Sequence, residues 1–121
     1  FKPSDEFMSM LKSRDWGRWA VAMPSSGKKA APAPVGSAPA GTMPADFLTD
    51  NDITGGNSGS PVLNAEGKVI GLAFDGNKES LASDLYAVPD YNKCVCVDIR
   101  YVLWALDKYA GMSRIIEELG L

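Results

Sequence analysis

The sequence predicts a mainly β fold with C-terminal α-helices. Three observations point there. Pro61-Val62-Leu63-Asn64 and Val69-Ile70-Gly71-Leu72-Ala73-Phe74 are apolar runs joined by the tight turn Ala65-Glu66-Gly67-Lys68, which is a hairpin pattern. Lys93 to Val97 alternates and is β-branched, as strands are. Beyond it, Ile99, Val102, Leu103, Leu106 and Tyr109 recur at helical spacing as an apolar stripe. With 121 residues, 45% apolar and 22% charged, the chain suits one small domain or part of a larger one.

In chain order, residues 4–15 read as a short amphipathic helix. Ser4 can cap it, Asp5 and Glu6 favour its first turn, and Phe7, Met10 and Leu11 share one face. Gly17 is a suitable stop, and Trp16 and Trp19 read as packing anchors. Residues 1–23 thus form a helical or extended N-terminal segment. Residues 24–41 are rich in Pro and Ala and read as a flexible linker without chemistry. Residues 42–121 carry the strands and the terminal helices. Within them Phe47-Leu48 leads into a glycine-rich loop, and Asp75-Gly76-Asn77-Lys78 is loop-like. Asp98 can cap the first terminal helix, Gly111 ends it, and Ser113 is placed to cap a second with Ile115, Ile116 and Leu119.

Several function classes are disfavoured. The formal net charge is −3 and no basic block is present, so nucleic acid is not an expected partner. No apolar run reaches the ~18 residues of a membrane span. The first residue is Phe1 rather than an initiator methionine, which suggests a truncated or processed product. Cys94 and Cys96 stand two apart on a strand. A bridge between them would close a small strained ring, and a lone C-x-C lacks the further ligands a metal needs, so buried free thiols are expected. No cofactor and no metal are expected.

The chemistry concentrates in Thr54-Gly55-Gly56-Asn57-Ser58-Gly59-Ser60-Pro61. A serine hydroxyl is a weak nucleophile; it needs a base for its proton and donors for the developing oxyanion. Gly55, Gly56 and Gly59 permit a sharp bend, so the amides of Gly56 and Ser58 can converge on one pocket, with Asn57 orienting the loop. The same composition also suits a plain turn. A hydrolase nucleophile elbow would need Gly-x-Ser-x-Gly ahead of a helix; here residue 60 is Ser and a strand follows. Gly67-Lys68 lacks the rest of a P-loop. The chain contains no histidine, so a base for Ser58 must come from elsewhere.

The loop with its following strand resembles the nucleophile loop of chymotrypsin-type serine peptidases. The longer blocks from Thr49 to Asn64, Val69 to Asn77 and Val97 to Leu103, with Asp107-Lys108-Tyr109-Ala110-Gly111, resemble the dipeptidyl-peptidase 7/11 family of bacterial serine exopeptidases. The resemblance covers nearly all of 43–121 and, more loosely, 1–20. It implies part of a chymotrypsin-like double β-barrel, namely the C-terminal portion of the second barrel. It implies a dipeptidyl aminopeptidase acting on peptides with a free N-terminus, in the periplasm or at the cell surface of a Gram-negative bacterium. Ser58 would be the nucleophile, with Gly56 and Ser58 as oxyanion donors. Phe74, Asp75 and Gly76 would bind substrate, Asp75 helping to hold its terminal ammonium. Gly76 stands where members preferring Asp or Glu carry arginine, which implies a hydrophobic residue before the scissile bond. A count from trypsin would instead put Asp52 at the pocket floor; members of both preferences share that run, so Asp52 is expected to make structural hydrogen bonds. The triad His and Asp would come from the remainder of the same peptidase, leaving the isolated chain inactive, and a homodimer is compatible with this reading. The alternative is a non-catalytic peptide-binding or assembly module on the same scaffold.

Overall fold

Short β-branched and apolar runs pair into one antiparallel sheet. The strands are β1 (Asp46–Thr49), β2 (Pro61–Leu63), β3 (Val69–Gly76) and β4 (Cys94–Asp98), in the order β1-β4-β3-β2. The coordinates are a computed structural model that describes residues 2–22, 38–82, 85–86, 88 and 90–121. Up to residue 37, the predicted linker over 24–41 lies outside the described residues. The chain divides into two units, Pro44–Arg100 and Phe1–Met43 with Tyr101–Leu121. The sheet with its C-terminal helices agrees with the fold class expected.

In the first unit the hairpin is built by its turn. Asn64 Oδ1 accepts from the Glu66 N–H at 3.1 Å and the Lys68 N–H at 2.9 Å, and Gly67 takes the left-handed φ of +75° that the turn requires. β3 pairs with β4 from Gly71 to Gly76. Gly71 is needed there, because a Cβ would stand 2.5 Å from the Val97 carbonyl oxygen and 2.6 Å from the Phe47 ring. The strand also runs further than the sequence suggests: Asp75 and Gly76, read as loop, continue β3. What hides this is a β-bulge. Ala73 lies opposite Cys96 and Asp75 opposite Val95, so Phe74 is an extra residue with no opposite number.

Val62, Ala73, Cys94 and Cys96 form the buried core, with Phe47, Ile53 and Ile70 packed on it. The two cysteines are free thiols, fully buried, with sulfurs 3.5 Å apart, as the sequence predicts. Burial first, and then the bond to Cys94, raises the Cys96 pKa from 9.0 to about 11. Below about pH 9 the thiol keeps its proton in both the folded and the unfolded chain; between about 9 and 11 only the unfolded chain releases it. Stability is therefore expected to decline as pH rises through that window. Urea midpoints measured across it should fall more steeply for the wild type than for Cys96→Ala; parallel slopes would remove this thiol as the cause.

At the end of β4, Asp98 is buried and its carboxylate clamps Arg100. Oδ1 accepts from the Arg100 backbone N–H and Nε, each at 2.9 Å, and Oδ2 accepts from Nη2 at 2.6 Å. This is the expected helix cap, and it also raises the Arg100 pKa.

The second unit is helical. In α1 (Asp5–Ser13) the Ser4 Oγ accepts from the Phe7 N–H at 3.1 Å, as predicted. The helix stops before Gly17, because Arg14 takes a left-handed φ of 53° and its N–H bonds back to Leu11. A 3₁₀ turn follows at Gly17–Trp19. α2 (Ile99–Trp104) passes into a π-helical turn at Ala105–Tyr109, so the single predicted helix changes pitch midway. Its deepest residue is Trp104, which the predicted stripe omits. Trp19, buried as expected, donates its indole N–H to Asp107 at 2.9 Å. α3 (Ser113–Glu118) buries Ile116. Ser113 is its first helical residue rather than its cap; Met112 takes the cap position without a side-chain bond. Among the described residues, no helix is long and apolar enough to cross a membrane.

Candidate active site

The loop between β1 and β2 is held by its own backbone and by Asn57. The Asn57 N–H bonds the Thr54 carbonyl at 3.1 Å, and the Thr54 N–H bonds Asn57 Oδ1 at 2.7 Å. The Ser60 N–H closes back on the Asn57 carbonyl at 2.9 Å. Gly56 and Gly59 sit at φ +96° and +90°, where a side chain would be strained. Two further bonds stitch the loop to β3, from the Gly59 N–H to the Ala73 carbonyl at 2.7 Å and from the Ala73 N–H to the Ser60 carbonyl at 2.9 Å.

The remaining amides of the bend are those of Gly55, Gly56 and Ser58, and none finds an acceptor among the described residues. The Ser58 side chain is exposed, and its hydroxyl donates to the Phe74 carbonyl at 3.3 Å. The bond is long and its acceptor is a neutral carbonyl, which orients the hydroxyl without activating it.

Beside the serine lies a cleft of about 260 Å³. Ser58, Phe74, Asp75 and Gly76 all line it, so four of the five residues singled out from sequence meet there. Gly56 does not line it; its neighbour Gly55 does. Past Ala73, β3 has no strand partner on its β2 side among the described residues, because β2 and the stitched loop end there. Phe74 is 48% exposed, although large and apolar, and its exposure follows from standing at this open edge. The Asp75 carboxylate is exposed and accepts from the Gly76 N–H at 2.8 Å.

Asp52 corrects an expectation. It is exposed, does not line the cleft, and its carboxylate makes no hydrogen bond among the described residues. The structural role falls instead to Asp50, which pairs with Lys93. Among the described residues no three His, Cys, Asp or Glu groups cluster closely enough to hold a metal ion.

Sequence reasoning missed Ile53, Asn77, Ser80 and Leu81, which complete the cleft. Asn77 is its brace. Its Oδ1 accepts from the Lys93 N–H at 3.0 Å and from the Ser80 hydroxyl, and its Nδ2 donates to the Tyr91 carbonyl at 2.7 Å. The Ser80 N–H returns to the Asn77 carbonyl at 2.9 Å, opening the 3₁₀ turn Lys78–Ala82. An asparagine followed three residues later by serine is a cap-like signal that could have marked this turn.

The comparisons set the chain among the peptidases. The Peptidase S46 family model matches residues 1–121, and the chain belongs to that family. It is 43% identical over 121 residues to the dipeptidyl-peptidase 7 of Porphyromonas endodontalis, covering all of this chain and 13% of that protein. It is 46% identical over 112 residues to the dipeptidyl-peptidase 7 of Phocaeicola vulgatus, covering 93% of this chain and 13% of that one. The crystal structure of Porphyromonas endodontalis DPP11 in complex with substrate superposes with a TM-score of 0.77 at 34% identity, over 98% of this chain and 15% of that one. The chain thus spans about an eighth of the length of these curated relatives, 13% in each case.

Proposed function

We propose that this chain carries the nucleophile of a serine-type dipeptidyl aminopeptidase and that Ser58 is that nucleophile. One observation carries the reading. An exposed hydroxyl borders a cleft, on a bend whose Gly56 and Ser58 amides have no acceptor among the described residues. Those two N–H groups suit a tetrahedral oxyanion; losing one such donor typically costs about 3 kcal/mol of transition-state stabilisation.

Ser58 Oγ attacks the scissile carbonyl, the C–N bond breaks and the shortened peptide leaves as a protonated amine; water then hydrolyses the acyl-enzyme and releases the dipeptide. A histidine from the remainder of the peptidase, oriented by an aspartate, takes and returns the proton, so the isolated chain is inactive. The open edge of Phe74–Gly76 offers backbone groups to an extended substrate, which can add there as a further strand. Asp75, with groups from the remainder, holds the substrate's ammonium and so fixes cleavage two residues from the free end. Gly76 places no charge in the pocket, which favours a hydrophobic residue before the scissile bond. Residues 42–121, in this reading, are the C-terminal part of the second barrel of a chymotrypsin-like double barrel with terminal helices. The enzyme works in the periplasm or at the cell surface.

The full-length peptidase should cleave dipeptide-coupled chromogenic substrates with a free amino terminus and refuse the same substrates when that amine is blocked. Equal turnover of both would replace the exopeptidase reading with an endopeptidase one.

A further inference from the structure

We propose that Ser80 is a specificity-determining residue of the cleft and that Asn77 positions it; this rests on the reading of Ser58 as the nucleophile. The argument starts at Gly76. A Cβ placed there would meet Ser80 Cβ at 3.3 Å, Ser80 Oγ at 3.6 Å and Ile53 Cδ1 at 3.8 Å. Ser80 therefore stands directly across from Gly76, and the two residues together set how much room a substrate side chain finds. Both line the same cleft, with Ile53 and Leu81 beside them.

The chemistry of that position is also set. The Ser80 hydroxyl donates its proton to Asn77 Oδ1 and accepts from the Lys93 N–H at 3.2 Å. The Gly76 N–H is likewise engaged, by the Asp75 carboxylate. A substrate carboxylate entering between them would shed its water and find neither donor free, whereas an apolar side chain would meet Ile53, Leu81 and two small residues. The class of residue admitted before the scissile bond is accordingly apolar, with its upper size set by Ser80. Asn77 acts at one remove: its bonds to Ser80, Tyr91 and Lys93 hold the turn in place.

The test uses the full-length peptidase with dipeptide-coupled chromogenic substrates carrying Ala, Leu or Phe before the scissile bond. Ser80→Leu should lower kcat/KM for the Leu and Phe substrates at least about tenfold relative to the Ala substrate, mainly through KM. Ser80→Ala, a smaller change that keeps the fold if the leucine variant does not, should raise the Phe-to-Ala ratio. Asn77→Ala, which frees the Ser80 hydroxyl from its acceptor, should also shift that ratio. Equal losses on all three substrates, or unchanged ratios, would overturn the assignment. Ser58→Ala separates the two levels: if it keeps turnover, the peptidase reading fails first; if it is dead and the ratios do not move, only the role of Ser80 fails.

Discussion

Replacing Ser58 with alanine is expected to lower kcat of the full-length peptidase by about 10⁴-fold or more, with KM little changed. The size of the effect follows from what is removed. Alanine keeps the bend, since Gly56 and Gly59 carry its unusual dihedrals and Asn57 its side-chain bond to Thr54. The only interaction lost is the 3.3 Å hydroxyl bond to the Phe74 carbonyl, which is exposed and worth little to stability. Substrate should still bind, because the cleft residues Phe74, Asp75 and Gly76 are untouched. A large fall in kcat without a fall in thermal stability would identify a reacting group. Undiminished turnover would remove Ser58 from the chemistry, and with it the proposed function.

Trp104→Ala is expected to destabilise the intact protein by about 3–5 kcal/mol, the usual range for deleting a fully buried large aromatic. Trp104 has no exposed surface. Its ring packs against Trp16 at 5.3 Å, Tyr101 at 5.8 Å and Phe7 at 6.1 Å between centroids. Its indole N–H also donates to the Asp15 carbonyl at 3.1 Å, which alanine would leave without that donor. Trp104→Phe keeps part of the ring packing and loses the donor, so it should fall between wild type and alanine. Urea unfolding followed by far-ultraviolet circular dichroism checks both. A loss under 1 kcal/mol for alanine would mean that the helical unit does not depend on this cluster.

Much of this was legible because it is local. The hairpin announces itself through Asn64 and Gly67, whose turn chemistry needs no partner from elsewhere. The α1 cap at Ser4 and the Asp98 clamp on Arg100 likewise span only a few residues. The serine loop was readable for the same reason: Gly56 and Gly59 sit where positive φ is needed, although Gly55 does not. Features set by distant contacts were not readable. The β-bulge at Phe74 exists only through pairing with β4, so Asp75 and Gly76 read as loop. Trp104 lies beside the apolar stripe rather than on it, and the change to a π-helical turn just after it breaks the periodicity on which such stripes are counted. The spacing of Asn77 and Ser80 marks at most a turn; their place in the cleft appears only when that turn folds back against Gly76.

The extra residue at Phe74 has a further consequence, one of parity. Along β3, Gly71 and Ala73 lie opposite Asp98 and Cys96, and after the bulge Gly76 lies opposite Cys94 while Asp75 lies opposite Val95. Were the strand paired without that bulge, Phe74 would lie opposite Val95 and the Asp75 carboxylate would turn inward opposite Cys94, against the thiols. The unpaired link thus keeps an anion out of the driest part of the sheet.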